Sequence, residues 1–162
     1  EDLCSFMDEH ALPKANLLGF SDGGNIALLF ALRYPERVLK LVLNGANLSP
    51  SGVKASFQIP IIIGYQIASF FGRWRDEAKK HADMLALMVK EPDIRPEQLK
   101  TVAVPALVIA GTRDMIKEKH TRLLAASLPD SSLVFIPGDH FIAAKKTAAF
   151  NQAVFAFLDQ DY

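Results

Sequence analysis

Ala15-Asn16-Leu17-Leu18-Gly19-Phe20-Ser21-Asp22-Gly23-Gly24-Asn25-Ile26 carries the first strand-to-helix transition of this 162-residue chain. Ala15 to Phe20 is a compact apolar run bounded by Pro13 and by Gly23-Gly24, which reads as a buried strand. Asn25, Ile26, Ala27, Leu28, Leu29, Phe30 and Leu32 then follow helical periodicity, ending at Tyr34 because Pro35 cannot continue a helix. Where the two meet, Gly19-Phe20-Ser21-Asp22-Gly23 fits G-x-S-x-G. A sharp turn at that place strains the serine backbone and needs small neighbours, which Gly19, Gly23 and Gly24 supply. The hydroxyl would stand at a helix start, where N–H groups and the helix dipole favour a developing oxyanion. The same five residues also fit a helix N-cap serine in a Gly-rich turn.

Working outward, Leu3, Phe6 and Met7 have the spacing of a short amphipathic helix stopped at Leu12-Pro13. After Pro35, Val38 to Leu43 reads as a second buried strand. Residues 47–101 break the rhythm with the turn Ser49-Pro50-Ser51-Gly52, an apolar stretch and a charged helical face from Arg73 to Lys80. This is a helical insertion of about two main helices between strands. Alternation resumes with a strand at Ala106 to Ala110, a helix at Lys117 to Ser127, a strand at Leu133 to Ile136 and a closing helix at Thr147 to Leu158. Continuous apolar strands alternating with helices imply an α/β fold, with four parallel strands and helices on both faces. Residues 1–46 and 102–162 form the core of that layout.

Composition narrows the function. The chain is 50% hydrophobic and 22% charged, which suits one globular domain and argues against disorder. With 18 basic and 18 acidic residues the net charge is zero, so no overall footprint for nucleic acid or an anionic membrane exists. The run from Phe57 to Phe71 is interrupted by Pro60 and Gly64 and too short to span a bilayer. No signal peptide is recognisable. Cys4, the single cysteine, has no partner for an internal disulfide and no ligands at metal spacing, which fits a reduced, cytoplasmic protein without metal.

A serine nucleophile needs a base and an orienting acid, expected in the order Ser, Asp, His, each just after a strand. Asp114 follows the third strand in Gly111-Thr112-Arg113-Asp114, and His140 follows the fourth in Pro137-Gly138-Asp139-His140. Asp139 adjoins His140 but points apart from it in an extended loop and reads as a turn former. His81 and His120 lie on helices that look solvated, and His10 suits a helix end. The Asp22 side chain caps the following helix or meets an amine-bearing substrate.

Leu17 to Asn47 and Val104 to Leu158, with the Gly-Phe-Ser-Asp-Gly-Gly turn, resemble the cap-bearing branch of the α/β-hydrolase superfamily. The resemblance implies Ser21 as nucleophile, Asp114 as acid, His140 as base and the Asp22 N–H as an oxyanion donor. The insertion 47–101 would be the cap, and no organic cofactor is needed. Ser-Asp-Gly-Gly followed by Gly45-Ala46-Asn47 looks most like valacyclovir-hydrolase-like members, which cleave small esters. Relatives that open epoxides or displace halide carry aspartate at the turn, whereas this chain has Ser21. Some relatives hold the acid after the strand before the cap, where Asn44-Gly45-Ala46-Asn47 offers no carboxylate. Phe20, Tyr65, Trp74 and Met115 are expected to line an apolar substrate pocket, or the cap residues among them only pack the cap onto the sheet.

The similarity begins at the helix before the nucleophile strand, so the four strands correspond to the second half of the family's eight-stranded sheet. The earlier strands and the His-Gly-type loop that gives the second oxyanion N–H are not seen. Removal of one such donor costs roughly 100-fold to 1000-fold in rate. The strand at residues 15–20 would then be an open edge, expected to be covered by an N-terminal half or by a second copy. The resulting expectation is a serine hydrolase acting on a small-molecule carboxylic ester or related acyl compound. The alternatives are an amide or C–C bond hydrolase on the same residues, and an incomplete member serving as a binding or assembly module.

Overall fold

The computed structural model describes residues 2–160. Helix α1 (Asp2–Glu9) leads into strand β1 (Ala15–Phe20), helix α2 (Asp22–Arg33) and strand β2 (Val38–Asn44). The insertion is a pair of helices, α3 (Ala55–Phe71) and α4 (Asp76–Lys90). Strand β3 (Ala106–Gly111), helix α5 (Glu118–Ser127), strand β4 (Ser131–Ile136), helix α6 (Ile142–Lys145) and helix α7 (Thr147–Leu158) complete the chain. Helix α2 starts earlier than its apolar periodicity, because Ser21 is already its N-cap residue.

The strands are all parallel in the order β1-β2-β3-β4. Parallel pairing sends every carboxyl end to one edge of the sheet, so the loops after Phe20, Asn44, Gly111 and Ile136 gather there. The strand faces alternate. Leu41, Leu43, Ala106 and Val108 bury against Leu28 and Ala31 of α2, Leu124 of α5 and Met7 of α1. Val42, Leu107 and Ile109 bury on the other face against Phe150, Val154 and Phe157 of α7. Strand β3, paired on both sides and covered on both faces, is buried at every position.

Strand β1 differs. Its outer edge pairs with no strand among the described residues. Leu18, and Ile26 and Leu29 of α2 beside it, are about half exposed. On the other side of α1, the Arg37 guanidinium fastens the chain: it meets Asp8 at 2.7 Å and the carbonyls of Leu12 and Pro13 at 3.1 and 2.8 Å.

The Phe57 to Phe71 stretch is not interrupted as expected. Helix α3 runs through Pro60 and Gly64 as one 17-residue element. Pro60 leaves only the Ser56 carbonyl without its helical donor, and Ser56 is exposed to water. Gly64 faces Leu85 of α4, so its flexibility is held by packing. Among the described residues no helix is long and apolar enough to cross a membrane.

The segment leading into α3 is fixed to the core. Val53 bridges Ile116 in antiparallel fashion, the Lys54 N–H donates to the Met115 carbonyl at 2.9 Å, and the Lys117 N–H donates to Gly52 at 2.8 Å. The returning segment is tied to the outgoing one where the Ile94 N–H donates to Leu48 at 2.8 Å.

Candidate active site

Ser21 stands at the strand-to-helix turn with φ 53° and ψ −119°, a conformation that side-chain-bearing residues seldom adopt. The surrounding bonds hold it there. Its N–H donates to the Asn44 carbonyl at 2.7 Å, and its carbonyl accepts from Gly24 and Asn25 at 2.9 and 3.2 Å. A Cβ on Gly19 would lie 2.2 Å from the Gly23 carbonyl oxygen, so the turn closes only over a glycine. At Gly24 a Cβ would come within 3.0 Å of the Ala46 methyl. Gly23 corrects the expectation of crowding there: nothing among the described residues lies within 4 Å of its Cβ position.

The loops after β3 and β4 bring two further groups to Ser21. His140 Nε2 is 2.9 Å from Ser21 Oγ, and His140 Nδ1 is 2.7 Å from Asp114 Oδ1. Asp114 and His140 are only 3% and 6% exposed. The same Asp114 oxygen accepts the Ile116 N–H at 2.9 Å, and the other lies 3.4 Å from the Gly111 N–H. With the Nδ1 proton donated to Asp114, Nε2 is left to accept from the Ser21 hydroxyl. The Asp22 N–H, at the first position of α2, has no carbonyl one turn earlier to bond.

Two glycines make this approach possible and escaped the sequence reading as site residues. Gly45 has φ 63°, and a Cβ there would sit 2.7 Å from His140 Cε1. A Cβ on Gly111 would sit 2.2 Å from the Asp139 carbonyl oxygen, so the His140 loop lies directly on the end of β3. The available signal was a glycine at or just past the carboxyl end of a strand, on the edge where Ser21 emerges.

A cavity of about 270 Å³ opens between core and insertion, with Ser21 and Asp22 in its wall. The helix pair contributes Gln58, Ile61, Met84, Leu87 and Met88, and the loops contribute Val53, Met115 and Ile116. Asn25 and Asn47 line it too, locked together by Asn25 Nδ2 to Asn47 Oδ1 at 3.1 Å and the Asn47 N–H to Asn25 Oδ1 at 2.9 Å. Met115 therefore lies where the pocket was expected, but three other expected residues do not line the cavity. Phe20 lies tilted beside His140, with ring centroids 4.9 Å apart and an interplanar angle of 42°. Tyr65 turns toward Lys90, which together with Ser69 lowers its phenol pKa. Trp74 lies at the far end of the insertion, 68% exposed, against Phe70. Helical geometry separates them: Tyr65 and Trp74 lie one and more turns beyond Ile61 along α3 and its turn.

Ser21, not Asp22, holds the N-cap position, and Asp22, one residue on, borders the cavity. His120 also departs from the solvated reading. Its Nε2 accepts the Leu48 N–H at 2.9 Å, and its ring fills the space a Cβ on Gly52 would need. Burial, helped by the charge of Lys117, lowers its pKa below the ordinary 6.5. His81 is exposed on α4, and His10 Nδ1 lies 2.9 Å from the Phe6 carbonyl. Asp139 accepts the Phe141 N–H at 2.9 Å and meets Lys145 at 2.5 Å; Lys145 first, then that N–H, lower its pKa. Among the described residues no three His, Cys, Asp or Glu side chains gather as metal ligands.

The family model for the alpha/beta hydrolase fold matches residues 1–82. A putative carbamate hydrolase, RutD, of Caulobacter sp. (strain K31) is 29% identical, across 98% of this chain and 70% of its own length. The serine hydrolase BPHL of Mus musculus is 27% identical, across 98% of this chain and 59% of its own. Among solved structures, a hydrolase from Pseudomonas aeruginosa PA01 superposes with a TM-score of 0.73 at 25% identity, over 98% of this chain and 70% of that one. The chain thus spans about 60 to 70% of the length of these relatives. A parallel sheet, a strained serine between β1 and α2, and a family match over just more than half the sequence converge: the chain belongs to the α/β-hydrolase fold family.

Proposed function

We propose that the chain is a serine hydrolase, or carries the serine-bearing part of one, acting on a carboxylic ester or related acyl compound. The observation that carries this reading is the continuous hydrogen-bonded series from Ser21 Oγ through His140 to buried Asp114, opening into a cavity. His140 takes the Ser21 proton as the oxygen attacks the carbonyl carbon, and Asp114 holds the imidazole in the required tautomer. The Asp22 N–H donates to the oxyanion. His140 then returns the proton to the leaving oxygen, and a water activated by the same imidazole releases the acyl group from Ser21.

The cavity wall favours some acyl compounds over others. Its lining includes Asp22 and Glu91 and, among the described residues, no Lys or Arg, while the His140 imidazole meets it through Ser21. Dianionic substrates, such as the dienedioate in the name of a Burkholderia vietnamiensis relative 27% identical to this chain, are disfavoured by like charge. Neutral and amine-bearing esters suit it.

The test is hydrolysis of a short-chain p-nitrophenyl ester, with fluorophosphonate labelling, by the wild type and by Ser21→Ala and Asp114→Asn variants. Loss of turnover in both variants, and of labelling in Ser21→Ala, is expected. Undiminished turnover in Ser21→Ala would refute the assignment.

A further inference from the structure

The outer face of helix α3 is mainly apolar, broken by the exposed Ser56 and Gln66. Ile59, Ile63, Ile67 and Phe70 are each 50 to 55% exposed, and Trp74, just past the helix, is more so. Their spacing puts them in one stripe, whose Ile67 edge borders the groove that α3 shares with Ala78 and Leu85 of α4. At 17 residues the helix extends about 25 Å and holds no charged side chain. A contiguous exposed stripe of this kind marks an interaction surface rather than scattered apolar residues.

What covers it is indicated by charge. The stripe ends in a turn and first helical turns that carry Arg73, Arg75, Lys79 and Lys80 against Asp76, Glu77 and Asp83, an excess of one positive charge. None of these four cations forms an ion pair among the described residues. The aromatic rings beside them are already clustered, with Phe70 edge-on to Phe71 at 5.4 Å and to Trp74 at 5.2 Å. A second copy of the chain is a poor complement. Antiparallel packing of α3 on α3 would set the cationic turn against Lys54 and a helix N-terminus, and parallel packing would set two cationic turns together.

We propose that the outer face of α3 and the α3–α4 turn form a docking surface for an anionic phospholipid bilayer. Ile63, Ile67 and Phe70 enter the acyl boundary, Trp74 sits at headgroup level, and the four cations meet lipid phosphates and carboxylates. The overall neutrality of the chain averages over this local asymmetry. Helix α3 is too short and too one-sided in its exposure to span, so the mode is lying on the surface.

Trp74 is the only tryptophan, so its fluorescence reports this surface alone. The wild-type chain is titrated with vesicles of phosphatidylcholine plus phosphatidylserine and of phosphatidylcholine alone, at low and high salt, with brominated lipid as quencher. A blue shift and quenching are expected with the anionic vesicles at low salt. Arg73→Ala with Arg75→Ala should weaken binding by roughly 25-fold, and Ile63→Asp with Ile67→Asp should abolish it while circular dichroism stays unchanged. No shift with anionic vesicles overturns the proposal, as does equal binding to both vesicle types or undiminished binding by both variants. A blue shift that grows with protein concentration in the absence of lipid also overturns it, in favour of a second copy.

Discussion

Replacing Gly45 with alanine should disable the Ser21–His140–Asp114 series without replacing any of its members. The new methyl would lie 2.7 Å from His140 Cε1 and 3.0 Å from Nδ1, whereas ordinary contact begins near 3.4 Å. The imidazole must therefore retreat by about 0.7 Å, or the β2 terminus must yield. Strand β2 is paired on both sides and its Asn44 carbonyl holds the Ser21 N–H, so the ring is the softer element. His140 is held by bonds of 2.7 and 2.9 Å, and a shift of that size carries at least one of them past useful hydrogen-bond length. Misplacement by about 1 Å costs on the order of 100-fold in rate. Alanine at φ 63° adds a backbone penalty of about 1–2 kcal/mol to stability. The assay is the rate of fluorophosphonate labelling at Ser21, run beside a thermal melt. A folded Gly45→Ala protein that labels at the wild-type rate would refute the reasoning, because the crowding would then have been absorbed elsewhere.

Three further outcomes are expected. Gly19→Ala should fail to fold or lose its cooperative melt, since its methyl would sit 2.2 Å from the Gly23 carbonyl, whereas Gly23→Ala should melt at or above the wild-type temperature; equal losses would contradict the open space at Gly23. His120 has a folded-state pKa below the ordinary 6.5, so the unfolded chain binds its proton more readily. Its contribution is complete above pH 6.5 and is lost as pH falls from there through the folded value. Thermal melts from pH 8 to 5 should show this slope flattened in His120→Gln, and identical slopes would count against it. The outer edge of β1 should pair with a further strand, from another segment or a second copy. Sedimentation velocity of the chain alone should show assembly that grows with concentration and is suppressed by Leu18→Lys; a monomer at every concentration would remove the idea.

The strands and the order of their loops were legible because local signals agree. Pro13 and Gly23-Gly24 bound an apolar run that becomes β1 from Ala15 to Phe20, and Pro35 ends α2. Parallel pairing then has one consequence that needs no side-chain detail: residues after successive strands share an edge, so Ser21, Asp114 and His140 fall near one another. The polar residues read from their neighbours in sequence fared differently. His120 looked solvated beside Lys117 and Lys119, yet its ring packs over Gly52 from a segment more than sixty residues earlier.

The sequence by itself determined the four strands and the main helices between them, the strained turn at Ser21 and the edge on which the site lies, because these depend on breakers, periodicity and the direction of parallel pairing, whereas α6 and the unbroken course of α3 through Pro60 were not legible. Tertiary structure decided the rest. That Gly45 must be a glycine follows from the His140 ring beside it, and that Asp22 borders the cavity follows from Ser21 already holding the cap position. From the sequence Trp74 is expected in the pocket or packing the cap onto the sheet, since an aromatic residue beside an apolar run fits either, yet it is 68% exposed. Only the packing of α3 on α4 turns it outward, because the contacts that bury or expose a side chain come from residues distant along the chain.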